Sequence, residues 1–220
     1  MSRAASAAGT GEETLPAIAV LVSGRGSNLG AICEAIARGE VRARVALVVS
    51  SRHDAPALDR AVSYGIACRV IAPKEYASRA EAGAALVQAI CEAGAQLIVL
   101  AGYKPILDSY VIQSFPQGII NIHPSLLPAF AGGMAPRPQA EALAAGVKLT
   151  GCTVHFVTED VDAGPIIAQA SVPVLDDDTV ESLSERILAE EHRLLPATIA
   201  RLLSGRVHVE GRRVIVSPAG

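Results

Sequence analysis

The chain has 220 residues, half of them apolar and 19% charged, with 3% aromatic and no tryptophan. That composition excludes global disorder and leaves Ala, Val, Ile and Leu to build the core. A formal charge of −3 argues against a broad basic face for nucleic acid, and no apolar run reaches the roughly 18–20 residues of a membrane helix.

Residues 1–16 are small and polar, carry Glu12 and Glu13, and lack the apolar centre of a signal peptide. They are expected to form a disordered leader on a cytoplasmic protein, with residues 17–220 folding as a single domain. Nearly continuous apolar runs predict strands at Ala17–Val22, Val45–Val49, Leu97–Leu100 and Ile119–Ile122. Helices are predicted between them at Leu29–Arg38, Ala57–Tyr64 and Ala80–Ala93, each followed by a glycine (Gly39, Gly65, Gly94) suited to a left-handed C-terminal residue. A long loop rich in Pro and Gly, Pro124–Pro138, interrupts this alternation. Strands at Thr150–Val157 and Ile166–Val174 follow, joined by an acidic turn, Thr158–Pro165, which suggests an antiparallel edge. A helix at Val180–Leu203 and a hairpin around Gly211 close the chain. The predicted fold is a doubly wound α/β sheet, mostly parallel with an antiparallel edge.

Three segments carry chemistry. Ser23-Gly-Arg-Gly-Ser-Asn28 joins the first strand to a helix, but Leu29 occupies the third glycine position of a dinucleotide fingerprint and no P-loop lysine follows. Two readings remain open: a site for a single phosphate, or a tight turn in which Ser27 caps the helix. Asn121 and His123 end the fourth strong strand two residues apart, so they share one face. An amide beside an imidazole there either meets a developing oxyanion or satisfies loop backbone. Asp162, in Val161-Asp-Ala-Gly-Pro165, would raise the pKa of His123 if the turn brings it close. Thr153 and His155 alternate on the adjoining strand and share one face; His155 reads either as a ligand contact or, more simply, as a core histidine bonded to backbone. Asp178-Thr-Val-Glu181 reads as a capping box, and Glu190–His192 as a solvated helix face. The four cysteines are far apart and no metal-ligand spacing occurs, so no metal is expected.

Taken together, IAVLVSGRGSNL (18–29), LIVLAG (97–102), IINIHPSLLPAF (119–130) and GVKLTGCTVHFVTEDVDAGPIIAQ (146–169) resemble the phosphoribosylglycinamide formyltransferases, a folate-dependent formyltransferase family, over roughly residues 17–203. The resemblance implies a formyltransferase-like Rossmann-type fold and formyl transfer from 10-formyltetrahydrofolate to the amine of glycinamide ribonucleotide in purine biosynthesis. It implies direct attack, with a tetrahedral intermediate stabilised by Asn121 and His123, and Asp162 completing the catalytic trio. Gly26, Ser27 and Asn28 would bind the substrate phosphate, and Glu191 its ribose. Arg79 would lie near the folate glutamate tail, while Lys104, Pro105, Ile106 and Leu107, together with Asn121 and Thr158, Glu159, Asp160, Val161 and Asp162, would surround the folate. The expected partners are these two small molecules, without nucleic acid or membrane, in a monomer or homodimer. Two departures stand out: Lys104-Pro105 where the family often has Met-Arg, and a longer loop 131–140 without the family's histidines. A formyltetrahydrofolate hydrolase and a catalytically silent folate- or nucleotide-binding relative are the alternatives.

Overall fold

The computed structural model describes residues 15–217, so the leader expected over 1–16 lies outside the described residues except for Leu15 and Pro16. The apolar runs become β1 (Ala17–Val22), β2 (Arg44–Ser50), β4 (Leu97–Leu100) and β5 (Ile119–His123), with a short β3 (Cys68–Val70) that the sequence does not announce. β6 (Leu149–Phe156) and β7 (Ile166–Pro173) complete a seven-stranded sheet ordered β3-β2-β1-β4-β5-β6-β7. All pairings are parallel up to β5, while β5–β6 and β6–β7 are antiparallel, as the sequence predicts. A separate hairpin pairs β8 (Val207–Glu210) with β9 (Arg213–Val216).

Helices cover both faces of the sheet. α1 (Ser27–Ala37), α2 (Pro56–Ser63) and α6 (Val180–Leu203) pack on one side, where Leu29, Ile32, Leu183, Ile187, Leu195 and Ile199 meet Ile18, Val20 and Val22 of β1. α3 (Arg79–Glu92) and the six-residue α4 (Ser109–Ser114) pack on the other, where Leu86, Ile90 and Val111 meet Ala19 and Leu21. Burial of β1 on both faces is what its unbroken apolar sequence demands. Full burial of each such Leu or Ile is worth about 1.5–3 kcal/mol.

Three local features differ from the sequence expectation. The loop after β5 ends in α5 (Arg137–Ala144), whose first turn contains Pro138, a residue tolerated there because that turn has no intrahelical partner for its N–H. The capping box of α6 is Thr179 with Ser182, one residue later than expected. Asp178 instead accepts from Ser182 Oγ and forms a bidentate pair with Arg186, which holds its carboxyl well below the usual range.

Candidate active site

The sheet order places β1 between β2 and β4, so the chain leaves β1 first towards one edge and later returns to build the other. A crevice opens at the carboxyl ends of strands where such connections diverge. Here it is a cleft of about 490 Å³ lined by the loops after β1, β4 and β5, the turn between β6 and β7, and α6.

One arm of the cleft is formed by the start of α1. Gly26 is the N-cap of α1 with φ 72°, and a Cβ there would lie 2.7 Å from that of Ala57, so only glycine fits both the conformation and the space. No side chain caps α1 and its first turn holds no acid, which corrects the reading of Ser27 as cap; Ser27 is the first helical residue. Gly26, Ser27 and Asn28 line the cleft, so the positive end of the helix lies against it, an environment that favours an anion. Asn28, which lines the same arm, donates from Nδ2 to Glu191 Oε2 at 2.7 Å, while its buried Oδ1 has no protein partner. Glu191 is therefore not on a solvated face: it is 7% exposed, and burial pushes its pKa from 4.5 up to about 7 despite the Asn28 amide.

The second arm follows from strand register. β5 and β6 pair Asn121 with His155 and His123 with Thr153, so all four side chains share one face. Asn121 Nδ2 lies 3.2 Å from His155 Nε2. His155 Nδ1 lies 2.9 Å from the Phe156 carbonyl, which can only accept, so His155 carries its proton there and receives Asn121 at Nε2. The backbone bond expected of His155 is present, but its other edge belongs to the cleft. Asp162 arrives from the opposite turn with φ 53°, its Oδ2 3.2 Å from His123 Nδ1 and its Oδ1 3.6 Å from His155 Nε2. Gly132 N donates to the same Oδ2 at 2.8 Å, and Phe130 O lies 3.0 Å from His123 Nε2. Loop 131–140 thus engages the trio through backbone; Arg137 is spent on a surface pair with Glu141.

Burial corrects the expectation for His123. It lowers the pKa of the ring, and this outweighs the charge of Asp162 and the Phe130 carbonyl, which both raise it. For Asp162, burial raises the pKa, but the Gly132 amide and His123 hold it below its usual value. Asp162 is therefore ionised at neutral pH, beside a ring that is largely neutral until charge appears nearby.

The third arm is apolar. Pro105, Ile106, Leu107 and Val157 line it together with Lys104, and Ile106 and Val161 stand exposed at its mouth. Lys104 N donates to Ser23 Oγ at 2.8 Å, which in turn bonds Ser51 Oγ at 2.6 Å, fastening this wall to the end of β1. Thr158, Glu159 and Asp160 form the facing rim, where Thr158 Oγ1 donates to Asp160 O. Arg79 is not in the cleft. It lines a neighbouring hollow and donates to the carbonyls of Ile106 (3.1 Å) and Leu107 (3.3 Å), bracing the apolar wall from behind. Among the described residues, no group of three or more His, Cys, Asp or Glu is arranged to hold a metal.

Residues 17–199 match the Formyl transferase family. The chain belongs to that family. The trifunctional purine biosynthetic protein adenosine-3 of Gallus gallus is 45% identical over 192 residues, 87% of this chain but 19% of that longer protein. The phosphoribosylglycinamide formyltransferase of Haemophilus influenzae is 38% identical over 88% of this chain and 90% of its own length. The crystal structure of glycinamide ribonucleotide transformylase 1 from Symbiobacterium toebii superposes with a TM-score of 0.89 at 48% identity, covering 93% of this chain and 95% of that one. In this formyl transferase, His155 lines the cleft, the ligand-facing one of its two sequence readings, while Phe130 and Gly132 join the site without a sequence signal. Two backbone groups have no motif; only the loop path reveals them.

Proposed function

We propose that the chain transfers a formyl group from 10-formyltetrahydrofolate to the amine of glycinamide ribonucleotide in purine biosynthesis, in the cytoplasm. The observation that carries this reading is the junction, in one cleft, of an uncapped helix start with Asn28 and Glu191, an Asn121–His123–Asp162 cluster, and an apolar wall. The pieces fit the two ligands. The α1 amides suit a phosphate, Asn28 and Glu191 offer an unspent acceptor and a carboxyl to ribose hydroxyls, and Pro105–Leu107 with Val157 suit a flat heterocycle.

Bound there, 10-formyltetrahydrofolate would supply the carbonyl carbon that the amine attacks and the nitrogen that leaves. Asn121 keeps a second amide hydrogen for the formyl oxygen, since His155 takes only one. Negative charge on that oxygen favours the imidazolium of His123 against the burial that otherwise suppresses it, and Asp162 beside Nδ1 favours it further. Asp162, ionised, would also accept the proton that the attacking amine must shed and return it to the departing nitrogen. A spectrophotometric assay with 10-formyl folate tests the reading. Loss of the formyl group that requires glycinamide ribonucleotide is expected; formate release without it would assign a hydrolase instead.

A further inference from the structure

Behind His123, outside the cleft, lies a chain of polar contacts that the reaction itself does not use. Thr153, wholly buried and directly opposite His123 in the sheet, has its hydroxyl engaged in every direction. Its Oγ1 donates to Ser125 O at 2.7 Å and accepts from Leu127 N at 3.1 Å and Gln169 Nε2 at 3.0 Å. Gln169 Nε2 also donates to Leu127 O at 3.0 Å. Ser125, also wholly buried, donates from Oγ to Ala129 O at 2.6 Å, and Ala129 N closes a turn onto Leu126 O. The backbone so fixed delivers Phe130, at φ 56°, with its carbonyl 3.0 Å from His123 Nε2.

We propose that Ser125, Thr153 and Gln169 form a polar strut that holds the Phe130 carbonyl against His123 Nε2, which makes them positioning residues for the catalytic imidazole. The proposal rests on the functional reading above. A carbonyl only accepts, so it fixes a proton on Nε2; Asp162 faces Nδ1, so only the doubly protonated ring satisfies both neighbours. The titratable groups facing His123 are Asp162, from the β6–β7 turn, and His155, from β6; the first favours the charged ring and the second opposes it. Without the carbonyl, Asp162 stands alone against burial. A backbone oxygen cannot be substituted directly, but the side chains that place it can.

The test is the pH profile of kcat for wild type, Thr153→Val, Thr153→Ser and Ser125→Ala, paired with an NMR titration of His123. Transfer needs the imidazolium, so the rate falls as pH rises through the His123 pKa. In Thr153→Val and Ser125→Ala that basic limb, and the His123 titration with it, is expected to move down by about 0.5–1 pH unit, the scale of one weakened hydrogen bond. The acid limb stays in place, and Thr153→Ser, which keeps the hydroxyl, restores the wild-type profile. A uniform loss of rate with both the limb and the titration unmoved overturns the strut. If Thr153→Val fails to fold, Ser125→Ala decides. The titration needs no substrate, so it judges the strut even if wild type fails to formylate glycinamide ribonucleotide, a result that would count against the functional reading alone.

Discussion

Glu191 shows how one buried side chain links substrate binding to stability. Its carboxyl sits between α6 and α1, held by a single amide from Asn28, and burial raises its pKa to about 7. A carboxyl whose folded pKa is raised contributes stability that is fully present below its ordinary value of 4.5 and is lost as pH climbs through the folded value. Between about pH 4.5 and 7 this one group is therefore expected to remove about 3 kcal/mol. Glu191→Gln keeps an acceptor for Asn28 but cannot ionise. It should match wild type near pH 4.5 and become the more stable protein by pH 8, as followed by denaturant unfolding. Parallel pH dependences for the two proteins would mean that Glu191 ionises freely. The same carboxyl is the proposed ribose contact, so the group that weakens the empty protein at neutral pH is the one a ligand would satisfy.

At the level of elements, the turn between β6 and β7 delivers Asp162 to two strands it does not belong to. Its closest approach is at Gly164, where a Cβ would fall 1.8 Å from the Phe156 carbonyl, while Phe156 N donates to Pro165 O at 2.9 Å and closes the ladder. The glycine of the Asp-Ala-Gly-Pro sequence is thus required by contact with β6 rather than by a left-handed backbone. Gly164→Ala must push the turn outward and carry Asp162 from His123. A destabilisation of about 1–3 kcal/mol is expected, with a fall in kcat at temperatures where the variant remains folded. Thermal unfolding and steady-state rates check this; a variant as stable and active as wild type would contradict the close approach. α1 works in the opposite sense, because Gly26 withholds a cap and leaves the helix start to the ligand.

Across the whole molecule, legibility follows burial. β1, β2, β4 and β5 are readable because strands covered on both faces must be apolar throughout, and β6 and β7 because no helix separates them. β3 and α4 are not, since three and six residues are too short to show a period, and α5 is masked by prolines that read equally as loop. Within the site, Asn121 and His123 are legible from their period-two spacing at a strand end, and the loop after β1 from its glycines. The direction of the His123 shift is not, because it depends on how deeply the ring is buried, and neither is the placement of Arg79, whose guanidinium turns to backbone behind the cleft. In the proposed reaction Asp162 serves the reacting atoms and leaves substrate binding to the other arms. The most direct test of this is the single-turnover rate of formyl transfer by Asp162→Asn at saturating glycinamide ribonucleotide and 10-formyl folate, measured beside the affinity for the ribonucleotide. The rate should drop by about 10²–10³, the usual loss for one electrostatic group at the reacting centre, with the affinity nearly unchanged. A rate close to wild type, or a loss that resides entirely in affinity, would contradict it.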